Sequence, residues 1–478
     1  MSVEGARLNA TPPSPAIAPG AADIDVRRVA EELGARGMDP RVRAVIPAFD
    51  APFFQAGLAG YSDAAMRIVA RRHGCPFCVT EALLDRTLLA GGRGFTKADL
   101  GELHDNIPGG EEDHPLACQI MGSDPLEMAA SALKVAEQGR RGDKAYRLIA
   151  YPDGKLPSRD EPLRLPGGEQ LAPRDEDGSC GEPEDDTCET TIDEINAVGG
   201  SEVPLSDPST SLLRRSVAPS LSFETIDINL ACPVKKIRNK ARGGHWLAEP
   251  AGAIHILEQV RESLPREIVC TVKLRRAFDD TPEMAANAQR ILDAAFGMGY
   301  AWATVHARTV QQKYIGPSRW DILREVVARN PGRVIFGSGD IWNAGDIFRM
   351  VAYTGVSAAA VARGCIGNPW IFRQARDMMA GREPTAPSIA QQRAVLEEHF
   401  RLALATNART RRAEEFTGMT MRKFGIRFAV HHPRGEDVRR AFIAVHSLEG
   451  WRAVLDAHYA PGDHEGVQPG GSIAQVPL

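Results

Sequence analysis

Residues 268–340 read IVCTVKLRRAFDDTPEMAANAQRILDAAFGMGYAWATVHARTVQQKYIGPSRWDILREVVARNPGRVIFGSGD, and their patterning decides the fold. Three short β-branched runs, Ile268–Val272, Ala303–Val305 and Val334–Phe336, each lead into a polar or glycine-containing loop. Between them lie apolar helical patterns over Pro282–Met298 and Ile322–Ala328. Strand, helix and strand at this spacing predict parallel pairing, because a parallel crossover needs a dozen or more residues.

The same unit recurs on both sides. Strand patterns lie at Ala51–Ala56, Phe77–Thr80, Leu116–Ile120 and Thr225–Asn229 upstream and at Ala358–Val361 downstream. Helical patterns accompany them at Ala64–Arg72, Pro125–Gln138 and Pro250–Ser263. Eight units predict an α/β protein built as a (β/α)8 TIM barrel. An open doubly wound sheet is the alternative, and the absence of GxGxxG after the first strand disfavours it.

The barrel occupies residues 43–381. An N-terminal extension over 1–42 is expected to be disordered or partly helical, since its first residues are Ala- and Pro-rich. One connection, 139–222, is far longer than an αβ loop requires. A hairpin is expected over 145–165, followed by an acidic, disordered stretch. Because the insertion joins a helix to the next strand, it is expected at the bottom face of the barrel. Past Gly381 the strand patterns stop, and 382–458 reads as a smaller all-helical domain ahead of a disordered tail at 459–478.

Charge is unevenly placed along the 478 residues. The formal net charge is −5, yet Pro166–Thr210 holds thirteen acidic residues and one basic one. The rest of the chain therefore carries a net positive charge, compatible with a nucleic-acid partner. Arg409–Arg440 alone has nine basic and four acidic residues. A solvated charged face is the alternative to RNA contact there. No run of 18 apolar residues marks a membrane span and no signal-peptide pattern opens the chain, so a cytoplasmic protein with eight mostly reduced cysteines is expected.

Chemistry-bearing residues cluster at the C-terminal ends of the predicted strands, the face on which such barrels carry their sites. Gln119 has an amide that can donate and accept at one edge of a flavin pyrimidine ring. Lys273 can set positive charge where a reduced flavin builds negative charge. The loops GSGD and ARGCIGNP offer backbone N–H groups to a phosphate. Cys232, in a Cys-Pro turn, reads as a nucleophile or general acid, or else as a small buried hydrophobe. Lys235 and Arg238 follow it in a basic run that could hold phosphates. Cys75 and Cys78 are expected to pack at the start of the second strand, and no metal site is expected.

These residues resemble the tRNA-dihydrouridine synthases of the bacterial type. DINLACPVKK (Asp227–Lys236) is similar to their DxNxGCP signature, and AGLAGYSD (Ala56–Asp63) to their first-strand APMAGxTD. QIMGSDP (Gln119–Pro125), VKLR (Val272–Arg275), HARTVQQKYIGPSRW (His306–Trp320), GSGDI (Gly337–Ile341) and ARGCIGNPWIF (Ala362–Phe372) follow in family order. The resemblance covers Val45–His458 outside the insertion.

It implies an FMN-dependent oxidoreductase that uses NADPH or NADH to reduce the C5–C6 double bond of uridines in tRNA. FMN would meet the backbone of Gly57, Leu58 and Ala59 and the side chains of Gln119, Lys273 and His306. Its phosphate would meet the backbone of Ser338, Gly339 and Asp340 and of Ala362, Arg363 and Gly364. Cys232 would be the general acid, and Asn229 and Arg308 would place the uracil or the flavin. Lys235, Arg238, Arg422 and Lys423 are candidates for tRNA contact. The sequence departs from the family at Gly57 (Pro in the family), at Ala231 (Gly in the family), and at the bulky His245 and Trp246. A small-molecule flavin reductase and a catalytically inactive RNA-binding homologue are the alternatives.

Overall fold

The computed structural model describes residues 20–90, 110–152, 223–233, 243–408 and 412–460. Its strands are β1 (Phe53–Gln55), β2 (Cys78–Val79), β3 (Leu83–Leu84), β4 (Leu116–Met121), β5 (Thr225–Leu230), β6 (Val269–Ala277), β7 (Ala303–Thr309), β8 (Ile335–Ser338) and β9 (Ala358–Val361). Every pairing is parallel. β1 pairs with both β2 and β9, and β2 pairs with β4, so eight strands close on themselves. The expected (β/α)8 barrel is therefore the observed one. The two-residue β3, too short to leave a pattern in the sequence, pairs with β4 at the rim.

Two N-terminal helices, α1 (Val26–Arg36) and α2 (Pro40–Val45), precede the barrel. Around it stand α3 (Ala64–Arg72), α4 (Asp85–Ala90), α5 (Pro125–Ala136), α6 (Asp143–Ala150), α7 (Pro250–Ser263), α8 (Pro282–Gly297), α9 (Trp320–Arg329), α10 (Ala344–Thr354) and α11 (Trp370–Met379). Their starts are written in the sequence. Asp63 accepts from the Met66 N–H at 2.9 Å, Asp124 caps α5, and Asn343 with Asp346 forms a capping box on α10.

Within the described residues the extension expected over 1–42 carries helix, as the partly helical reading has it, and these helices pack on the barrel. α1 packs against α10 and α11, and Gly34 lies so close to Met379 that a Cβ there would meet its carbonyl at 2.2 Å. Met38, Val42, Ile46 and Phe49 close the barrel floor against Phe54, Phe77, Trp302 and Phe336. Ring centroids of Phe49 and Phe77 stand 5.0 Å apart, and those of Trp302 and Phe336 5.2 Å. Each such aromatic pair contributes about 0.5–1.5 kcal/mol beyond its burial. The floor inside the barrel is thus aromatic, and the polar groups that line its interior lie above it.

The insertion begins differently from its expected course. Residues 143–150 form α6 and not the first arm of a hairpin; the remainder of that expected hairpin and the acidic stretch lie outside the described residues. Lys134, near the end of α5, pairs with Asp143 at 2.8 Å, and Tyr151, just past α6, stands beside Glu127 and Asp85. α6 therefore runs back along α5 toward the mouth. The chain leaves the described part at the mouth end after Pro152 and returns at Phe223 below β5. Only the return lies at the expected bottom face.

The helical domain comprises α12 (Ile389–Thr406), α13 (Ala413–Phe428), α14 (Gly435–Ile443) and α15 (Leu448–His458). Its core is Phe400, Phe442 and Trp451, and the fully buried Tyr459 extends it past the expected boundary at 458. The domain docks on the barrel through α12 against α3 and through α13. Gly367 approaches α13 so closely that a Cβ there would stand 2.6 Å from the Arg427 Cβ. Among the described residues no helix is long and apolar enough to cross a membrane.

Candidate active site

Strand register sets the level of each group. Gln119 is level with Asp227, Asn229 with Lys273, and Arg275 with His306, which is level with Ser338. Alternate residues of a strand face one side, so Asp227 and Asn229, then Thr271, Lys273 and Arg275, then Thr304, His306 and Arg308 line up inward. Gly57, Gln119, Asp227, Thr271, Lys273 and Thr304 line a cavity between the aromatic floor and the mouth. The sequence-expected Gln119, Asn229, Lys273, His306, Arg308 and Ser338 are thus brought together.

A directed hydrogen-bond chain joins the lower groups. The Ala231 backbone N–H donates to Asn229 Oδ1 at 2.8 Å, and Asn229 Nδ2 donates to Gln119 Oε1 at 2.7 Å. Gln119 Nε2 donates to Asp227 Oδ2 at 2.7 Å, and the Thr271 hydroxyl donates to Asp227 Oδ1 at 2.6 Å. Lys273 makes no hydrogen bond among the described residues. Burial, with Arg275 beside it, pulls its ammonium down to about 8. His306 lies well below its usual range because it is desolvated and ringed by Arg275, Lys273, Arg308 and Arg363, so the imidazole is neutral. Its Nδ1 is 3.4 Å from the Ser338 hydroxyl, and its Nε2 is buried without a partner.

Cys232 is half-buried directly after β5 and faces Lys273 and Arg275. Its loop is held on both sides. Arg275 Nε donates to the Ala231 carbonyl at 2.9 Å, and the Gly244 N–H donates to the Cys232 carbonyl at 2.8 Å. Gly243 has φ +45° and would place a Cβ 2.9 Å from that carbonyl, so the position needs glycine. Ala231 is not among the positive-φ residues, and its methyl therefore replaces the family's glycine without backbone strain. Trp246 packs beneath the loop and not in the pocket: its Nε1 donates to the Gly122 carbonyl at 3.2 Å, and the ring covers Gly252. His245 rests against Phe278.

The walls of the mouth are backbone. A Cβ on Gly57 would meet the Thr80 carbonyl at 2.3 Å, and one on Gly364 would meet the Ile341 carbonyl at 2.1 Å. Gly339 has φ +125° and Asp340 φ +53°. The Asp340 side chain binds Arg308 and the Ser318 N–H, and the backbone that follows it at Ile341 packs on Gly364. Leu58 and Ala59 continue the wall from Gly57; the Leu58 N–H donates to the Ser62 hydroxyl.

Two residues without an assigned role enter the site. Arg275 is buried next to Cys232, and Tyr314 stands at the rim, 49% exposed, between Arg275 and Arg363. Alternation along β6 from Lys273 was the signal for Arg275. Tyr314 lies in a loop, where no periodicity reports orientation. Lys423 and Arg422 separate: the Lys423 ammonium binds the Gly60 carbonyl and lies 4.9 Å over the Tyr61 ring at the domain interface, whereas Arg422 is on the outer side of α13, 3.5 Å from the Ile443 carbonyl. Lys235 and Arg238 lie outside the described residues. Cys75 and Cys78 are buried free thiols 3.8 Å apart, as expected for packing cysteines. No group of three or more potential metal ligands occurs among the described residues.

The closed parallel barrel thus carries a polar hydrogen-bond chain, a buried lysine and a cysteine toward its mouth. The family model described as dihydrouridine synthase matches residues 207–456, more than half of the chain, and the chain belongs to that family. A probable tRNA-dihydrouridine synthase of Mycobacterium tuberculosis is 29% identical over 255 residues, which is 52% of this chain and 63% of that protein. The tRNA-dihydrouridine(16) synthase of Aquipseudomonas alcaligenes is 32% identical over 202 residues, covering 41% of this chain and 61% of the relative. The chain thus spans somewhat less than two thirds of these relatives. Morphinone reductase superposes with a TM-score of 0.35 at 14% identity over 70% of this chain and 88% of its own; the fold assignment rests on the strand pairings instead.

Proposed function

We propose that this chain is a tRNA-dihydrouridine synthase that holds FMN at the barrel mouth, takes reducing equivalents from NADPH or NADH, and saturates the C5–C6 bond of a uridine in tRNA. The observation that carries the reading is the cavity lined by Gln119 and Lys273, with Asn229 hydrogen-bonded to Gln119 and with His306 and Cys232 near the Lys273 charge. The residues present fit a flavin. Lys273 makes no hydrogen bond among the described residues, and His306 Nε2 and Arg308 Nη1 are buried without protein partners, so donors stand ready for a ligand's acceptors.

FMN, when bound and reduced, supplies the hydride. The protein's own groups handle the proton and the positioning. Cys232 would donate a proton to the uracil carbon, which leaves a thiolate, and Lys273 and Arg275 stand close enough to stabilise that charge. The uridine must leave its stack, at a cost of a few kcal/mol that backbone contacts offset. The arginines of α13 and α14 suit recognition of folded RNA through its phosphates.

The test is nucleoside mass spectrometry of unmodified tRNA incubated with the protein, FMN and NADPH. A uridine that gains the mass of two hydrogens is the expected result, and fragment mapping of the same sample gives its position. A flavin-loaded preparation that oxidises NADPH yet leaves tRNA unchanged would move the assignment to a small-molecule flavin reductase.

A further inference from the structure

Asp227 lies at the far end of the hydrogen-bond chain, fully inside the barrel and below the groups that face the mouth. The chain has only one workable direction. At its upper end the donor is a backbone N–H, that of Ala231, so Asn229 must turn its oxygen upward and its NH2 toward Gln119. Gln119 must then meet Asn229 with its oxygen and offer its NH2 downward, which requires an acceptor at residue 227. Each amide retains one hydrogen and one lone pair for the cavity.

We infer that Asp227 is a positioning residue: it fixes the direction of the Gln119 amide and, through Asn229, couples that amide to the backbone that presents Cys232. This rests on the proposed flavin reading for what the Gln119 amide meets, but not for the coupling itself. One polarity thus serves both halves of the site. The amide shows the pyrimidine edge a donor and an acceptor in fixed positions, and the turn at Ala231–Cys232 is held from below by the same chain. Buried networks of this kind strengthen bond by bond when every member is satisfied.

The chain distinguishes acceptor from charge. Asp227→Asn keeps an oxygen for Gln119 and turns its NH2 to the Thr271 hydroxyl, which can accept, so the relay survives. Gln119→Glu sets one acceptor against another and breaks it. Asp227→Asn combined with Gln119→Glu restores a donor–acceptor pair by exchanging the two roles.

Two readouts are taken on each protein. The first is the rate of Cys232 alkylation by a maleimide in the flavin-free protein, followed by peptide mass spectrometry. The second is FMN affinity by fluorescence titration. Expected are alkylation rates within about twofold of wild type for Asp227→Asn and for the double variant, and at least about fivefold faster for Gln119→Glu alone. FMN affinity should be retained in Asp227→Asn and fall at least about tenfold in both proteins with the Gln119→Glu change, because a carboxylate then faces the flavin. Unchanged alkylation in Gln119→Glu, or no recovery in the double variant, overturns the coupling. A wild-type protein that binds no FMN while alkylation follows the expected pattern overturns the flavin reading and upholds the relay.

Discussion

Arg308 donates through one nitrogen to both carboxylate oxygens of Asp340, at 2.8 and 2.7 Å, with both side chains almost fully buried. The pair joins the end of β7 to the loop after β8. Asp340 also accepts from the Ser318 N–H at 2.7 Å and itself has φ +53°. Asparagine tolerates that conformation, so Asp340→Asn isolates the loss of charge from backbone strain. Removing one partner of a buried pair costs about 3–5 kcal/mol, since the other charge is left uncompensated. Urea unfolding should show a loss of that size, and Arg308→Leu in the same background should recover part of it.

Cys232 presents a different expectation, because backbone bonds on both sides hold the turn that carries it. Three bonds that hold the turn are made by backbone atoms of Ala231 and Cys232 with Asn229, Arg275 and Gly244. Cys232→Ala should therefore bind FMN as the wild type does and form no dihydrouridine. Flavin content by absorbance and product by mass spectrometry check both halves. Dihydrouridine formed at the wild-type rate would remove Cys232 from the mechanism.

Lys273 gives the site a pH dependence with a defined sign. Its ammonium is brought from 10.5 to about 8 by burial, with Arg275 adding repulsion. Between about pH 8 and 10.5 the unfolded chain holds a proton that the folded apoprotein has released, so this group makes stability rise with pH across that window. Binding of an anionic ligand runs the other way, since it needs the protonated form. FMN affinity should fall as pH rises through about 8, and Lys273→Met should flatten the profile. An affinity independent of pH from about 7 to 9.5 in the wild type would contradict a role for this charge.

Gly364 tests the backbone cradle. A methyl there would stand 2.1 Å from the Ile341 carbonyl and 3.1 Å from the Trp342 Cα, both main chain and unable to swing aside. The loops after β8 and β9 would have to separate. Gly364→Ala should weaken FMN binding at least about tenfold, and thermal unfolding should show a loss in the range of overpacked cores, about 1–3 kcal/mol. Riboflavin, which lacks the phosphate, should lose less affinity than FMN if the cradle is where the phosphate sits.

The strands were legible because parallel barrel strands are short, apolar and followed by polar ends; all eight fall within a few residues of Ala51–Ala56 through Ala358–Val361. The positions of Gln119, Lys273 and His306 followed from the same rule, which ties a residue's place on a strand to one mouth. What did not follow were contacts between elements distant in sequence. α6 binds back along α5 through Lys134–Asp143, and its own eight residues carry no mark of that partner. Asp227 resembles any polar residue inside a strand until Gln119, 108 residues away, is seen to require an acceptor there. Lys423 reads as one more cation in a basic stretch; its interdomain role depends on where the Gly60 carbonyl lies.

Arg422 and Lys423 are adjacent and should nevertheless fail differently. Lys423 binds the Gly60 carbonyl and covers the rings of Tyr61 and Phe424, so Lys423→Ala should loosen the domain junction and raise hydrogen exchange in the Leu58–Asp63 loop. Among the described residues Arg422 has one long hydrogen bond, to the Ile443 carbonyl at 3.5 Å, near the exposed Met419 and Ile443. Arg422→Ala should leave hydrogen exchange and FMN binding unchanged. If its guanidinium meets a tRNA phosphate, binding should weaken for every tRNA tested and the slope of log affinity against log salt should flatten by about 1 or slightly less. An unchanged slope would place the RNA on another face, with the arginines of α14 as the next candidates.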